Sequence, residues 1–144
     1  MKLEDIQSHW DVDSKIDRTE LGEESLKIPQ LHSKYYKMYS VERLTLKKLN
    51  SDYKILYKTK YEYYNGSLSQ EELEENNWDP QQLKLLKSDI PVYIDADLDL
   101  IKIKQRIEIQ EEKLNFLESI IKSLTNRGFN VKAAIDWVKF TQGQ

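Results

Sequence analysis

Between Leu31 and Tyr64 the chain contains neither proline nor glycine, and Tyr35, Tyr39, Glu42, Leu46, Leu49, Tyr53, Leu56, Lys60 and Tyr63 recur at alternating steps of three and four. That spacing places them on one side of a single long helix, as a narrow seam closer to a coiled-coil stripe than to a wide globular face. A chain built on such a rod needs a second seam to cover it. Leu100, Ile103, Ile107, Gln110, Leu114, Leu117, Ile121 and Leu124 supply one with the same steps. The expected fold is therefore all-α, an antiparallel hairpin of two long helices with short N- and C-terminal helices.

Punctuation residues set the expected ends. Pro29 suits a first helical turn, where its missing N–H has no intrahelical partner, so the first rod is expected to begin near it. Asn65-Gly66 and Asn126-Arg127-Gly128 read as stops, because both residue types tolerate the left-handed conformation that ends many helices. Asp95, Asp97 and Asp99 favour the positive end of the second rod. Leu3, Ile6 and Trp10 share a face on a short N-terminal helix that must dock on something larger. Residues 67–98 form an acidic connector with Glu71, Glu72, Glu74, Glu75 and Asp79. Pro80 and Pro91 interrupt it, and Leu83 to Leu86 could add a helical turn. The domain division expected is a hairpin over 1–128 and a final helix over 129–144, capped by Asn130.

Several functions are excluded or disfavoured by what is missing. The absence of cysteine rules out disulfides and thiolate metal sites and points to a reducing cytoplasm. No apolar run of signal-peptide or membrane-spanning length occurs, so a soluble protein without membrane association is expected. Four glycines in no phosphate-cradling arrangement argue against nucleotide hydrolysis. His9 and His32 have no partner at triad or metal-ligand spacing, and the alternating aspartates lack a calcium-loop pattern. No catalytic residue, metal or cofactor is expected.

Charge is distributed unevenly. The chain carries a formal net charge of -3, yet between Leu31 and Lys60 eight basic residues face only Glu42 and Asp52. Lys47, Lys54, Lys58 and Tyr61 lie at offsets of seven, four and three, hence on one side of the helix, and Arg43 extends it. Such a face is either solvated or a surface for a polyanion. Tyr57, Tyr61 and Tyr64 beside the lysines supply the stacking groups that unpaired bases use. The last helix poses a similar choice: Val131, Ala134, Ile135 and Val138 share one face, and Trp137 and Phe140 widen the apolar surface around a second. That second face either folds back on the hairpin or meets another subunit.

Leu3-Glu4-Asp5-Ile6-Gln7, Asp17 with Thr19 and Leu21, Ser33-Lys34, the block Lys58-x-Lys60-x-x-Tyr63-Tyr64-x-Gly66, Ile121-Lys122, Arg127-Gly128-Phe129 and Lys132 follow one another as in a known family. In these residues the chain resembles the UvsY family of recombination mediators of T4-like bacteriophages. The resemblance implies a homo-oligomer, a hexamer or heptamer, that binds single-stranded DNA without sequence preference in the cytoplasm of an infected bacterial host. It implies loading of a RecA-like recombinase onto DNA covered by the phage single-strand binding protein, with contacts to both. It places DNA binding at Lys58 and Lys60 and assembly in Val131 to Phe140. At Lys60, Arg is also found in the family, and Lys lacks its planar fork; the connector follows the family only loosely. The rival reading of the same seams is an adaptor coiled coil whose basic face docks on an acidic protein.

Overall fold

A computed structural model describes residues 1–143. Its elements are α1 (Leu3–Asp13), α2 (Leu21–Asn65), α3 (Gln70–Asn76), α4 (Ile90–Asp95) and α5 (Leu98–Thr141), with no strand among the described residues. The protein is all-α and is dominated by two long helices. Contacts divide it into two compact units: residues 1–45 with 110–144, and residues 46–109. Both long helices contribute to both units.

In the first unit, α1 and the facing stretches of α2 and α5 enclose a core of Ile6, Tyr35, Leu117, Ile120 and Leu124. Ile6 is fully buried while Leu3 and Trp10 are half-buried, so the apolar face of α1 does dock on the long helices. Each such side chain contributes about 1.5–3 kcal/mol on burial, which an isolated eleven-residue helix has no means to gain. The C-terminal end of α1 is fastened through Asp13, whose carboxylate accepts from Lys34 Nζ (2.6 Å) and the Tyr35 hydroxyl (2.7 Å). Burial by itself would push the Asp13 carboxyl up, but those two donors outweigh it and hold it below the usual carboxylate range. Arg127, also buried, donates Nη2 to the Asp13 carbonyl at 2.7 Å and lies over the Trp10 ring.

Every position of both seams is buried or half-buried. The polar seam members meet specific partners. In the first unit, Gln110 Nε2 donates to the Glu42 carbonyl (2.8 Å) and carboxylate, and Lys113 approaches that carboxylate at 3.6 Å. With Tyr39 donating to Glu118 in the same unit, partners advance along α2 as they retreat along α5, so the helices run antiparallel. In the second unit Lys104 lies over Tyr53, and Lys60 pairs with Asp97 and Asp99, which gives the same sense.

Helix α2 begins at Leu21, earlier than Pro29 suggested. Glu23 and Glu24 in the first turn complement the helix dipole, and Pro29 is tolerated inside on the exposed side. Asn65-Gly66 ends the helix as expected: Gly66 has φ 78°, and Ser67 N donates to the Glu62 carbonyl at 2.9 Å. Asn126-Arg127-Gly128 does not end α5, which runs through to Thr141 without a separate C-terminal helix. Gly128 costs about 1 kcal/mol in a helix interior, but Arg127 and Val131 on either side of it are buried in the first unit and keep the helix in place. In the connector, Leu83 to Leu86 is not helical; order comes from α3 and from α4, where Pro91 occupies the first turn and starts a helix instead of interrupting one.

Candidate nucleic-acid interface

Lys47, Lys54 and Lys58 project from the outer face of α2 within the second unit. They lie opposite the seam because their offsets of seven and four return to one helix face, while Leu49, Leu56 and Lys60 fall on the other. The Lys58 side chain is 79% exposed, and its one ion-pair partner among the described residues is Glu62, at 3.8 Å. An exposed pair of that length contributes at most about 1 kcal/mol, so the ammonium is available to another anion. Tyr61 is half-buried and packs on the core of Ile90, Ile94 and Leu100, and Tyr57 is exposed. Arg43 belongs to the first unit, where its guanidinium lies over the Tyr39 ring.

Lys60 has a different setting. Two residues beyond Lys58, it points roughly 200° around the helix, into the interior. Its Nζ lies 2.8 Å from Asp99 and 3.1 Å from Asp97, with the Trp78 ring centroid at 4.0 Å. The residue is 5% exposed. Each partner is brought there by a local signal. Asp97 caps α5 by accepting the N–H groups of Asp99 (3.0 Å) and Leu100 (3.1 Å). Asn77, left-handed at φ 56°, ends α3 and lets Trp78 N reach the Leu73 carbonyl, turning the indole back to Lys60. The Tyr63 hydroxyl donates to the Asp79 carbonyl at 2.7 Å, tying the same loop to α2.

The electrostatics of this cluster are closed. Burial pushes the Asp97 carboxyl up, yet hydrogen bonds from the Tyr64 hydroxyl (2.6 Å), the Leu100 N–H and Lys60 outweigh it and leave it below the ordinary range. Burial and then the Asp97 carboxylate drive the Tyr64 phenol the other way, far above its ordinary value. Drawing Lys60 out would strand Asp97 in the interior at about 3–5 kcal/mol. A single phosphate contact on a single strand has a salt exponent of about 0.7, which at about 0.15 M salt corresponds to about 0.8 kcal/mol of counterion release and does not offset that cost.

Asp97 thus serves as helix cap and, with Asp99, as counter-charge, whereas Asp95 is exposed at the end of α4; residue spacing does not disclose that Lys60 meets two residues so far along the chain. Trp78 was not singled out by any motif. Among the candidate assembly residues, Val131 is buried and Ala134 and Ile135 are half-buried in their own unit. Trp137, Phe140 and Val138 are exposed by 65, 73 and 40%, and the Trp137 and Phe140 rings stack at 5.8 Å. No helix is long and apolar enough to cross a membrane among the described residues.

A family model described as a recombination, repair and ssDNA binding protein matches residues 9–144, which defines the class to which these helices belong. The chain is a member of that family, UvsY. The recombination protein uvsY of Enterobacteria phage T4 is 25% identical to it over 144 residues, with all of both chains covered. A crystal structure of the bacteriophage T4 recombination mediator protein UvsY matches with a TM-score of 0.84 at 25% identity, over 99% of this chain and 98% of that one. A second crystal form matches at 0.85 and 23% identity, over 97% and 99%, and supports the fold.

Proposed function

We propose that this protein is a recombination mediator that binds single-stranded DNA through the exposed face of Lys47, Lys54 and Lys58, with Tyr61 beside them. The observation that carries this is the availability of those ammonium groups in a member of a single-strand-binding family. Lys58 faces the strand, and Lys60 contributes from the interior by holding Trp78 and the start of α5 against α2. The protein assembles into a ring-like homo-oligomer, a hexamer or heptamer, through the exposed Trp137, Val138 and Phe140. Several basic faces then hold one strand at once, which raises avidity without new contacts. Strand deformation releases the phage single-strand binding protein and admits a RecA-like recombinase, in the cytoplasm of the infected bacterium. The free energy of binding drives the exchange, and no cofactor is required.

Fluorescence anisotropy with a labelled oligonucleotide tests the DNA-binding face. K54A/K58A should weaken binding and lower the salt slope by about 0.7 for each phosphate no longer neutralised. Unchanged affinity and slope would reject the assignment. Light scattering tests assembly: W137S/F140S should reduce the mass, and an unaltered mass would place the subunit contact elsewhere.

A further inference from the structure

We infer that the first unit carries a base-stacking subsite for single-stranded DNA, formed by His32, Tyr36, Tyr39 and Arg43 on α2. Steps of four, three and four put these side chains on one helix face. They follow one another in a row: the His32 and Tyr36 rings are 5.9 Å apart and within 12° of parallel, Tyr36 and Tyr39 are 6.1 Å apart and tilted by 37°, and the Arg43 guanidinium sits 5.7 Å from the Tyr39 ring centre. Tyr36 is 48% exposed, and His32 and Arg43 are exposed. The His32, Tyr36 and Arg43 groups face solvent, while Tyr39 is half-buried and anchors the row against the core.

The lower end of the row is fixed. The Tyr39 hydroxyl donates to Glu118 at 2.9 Å, which sets its ring angle and engages a carboxylate beside the row. A ring held in place loses less entropy when a ligand stacks on it. Three aromatic faces closed by a guanidinium match the chemistry of an unpaired base and its phosphate: π faces for the base, a planar cation for the anion. An aliphatic protein partner would not require the near-parallel His32 and Tyr36 pair. The inference rests on the family's single-strand binding but not on the lysines of the second unit.

The test compares labelled oligo-dT with an abasic strand of equal length, titrated against the full-length protein and its Y36A, Y36F and H32A variants. Y36A should bind oligo-dT about five- to tenfold more weakly, the low end of a stacking contribution, with an unchanged salt slope because every phosphate keeps its cation. On the abasic strand Y36A and wild type should be equal, Y36F should retain affinity, and H32A should lose part of it on oligo-dT alone. Equal binding of oligo-dT by Y36A and wild type would overturn the subsite. So would an equal loss on both strands. If K54A/K58A leaves binding intact while Y36A behaves as expected, the lysine face is rejected and the stacking subsite stands.

Discussion

Replacing Lys60 by alanine removes the cation that faces two carboxylates and an indole. Asp97, whose side chain is 5% exposed, would keep the Tyr64 hydroxyl and two N–H donors but lose its counter-charge. Breaking a buried pair from one side costs about 3–5 kcal/mol, and the three remaining donors place this case near 3. Asp99 is 51% exposed and returns to water, adding little. Loss of the ammonium over Trp78 adds about 0.5–2 kcal/mol. The total, about 3.5–5 kcal/mol, is a large share of the 5–15 typical of a folded domain. Lys58→Ala, on the exposed side of the same turn, should change stability by less than about 0.5 kcal/mol. Urea unfolding at neutral pH and one fixed protein concentration reads both, the concentration being held because association shifts the midpoint. K60M/D97N, which deletes both charges and keeps the stem, should recover part of the loss. If K60A unfolds within about 1 kcal/mol of K58A, or if the double variant is no better than the sum of its singles, the buried pair does not hold this unit together.

Two further outcomes follow from other contacts. The folded pKa of Asp97 lies below its unfolded value, so its contribution is present above the unfolded pKa near 4 and disappears as pH falls through the folded one; urea midpoints measured from pH 5 down to pH 2 should fall less steeply in D97N than in wild type. Gly128 lies in helical backbone with open space where a Cβ would be, so G128A should raise stability by about 0.4–1 kcal/mol, seen as a higher urea midpoint.

Helix identity and seam membership were legible because period alone decides which side of a rod is covered, and both sets of seam residues match the buried and half-buried positions. The polar seam members were visible as positions but not as pairs: Glu42 and Gln110 are 68 residues apart, and only the hairpin's register joins them. Lys60 belonged to two readings at once, as a step in the seam and as half of a basic pair with Lys58. Helix geometry separates them, since neighbours two apart point to different sides. Gly128 misled because a glycine's backbone freedom permits a stop without requiring one, and the flanking buried side chains decide. The row of rings on α2 leaves no mark in the period for a related reason: His32 and Tyr36 add nothing to a core, and Tyr39 reads as a seam residue.

The pairing of Lys60 with Asp97 also constrains how this sequence can drift. A leucine in the seam can be exchanged for an isoleucine or methionine alone, whereas neither member of the charged couple can change first without leaving its partner stranded in a dry interior. Lineages that replace the lysine with an uncharged residue should therefore carry a neutral residue in place of the aspartate too, the two sites turning over as a single unit of inheritance.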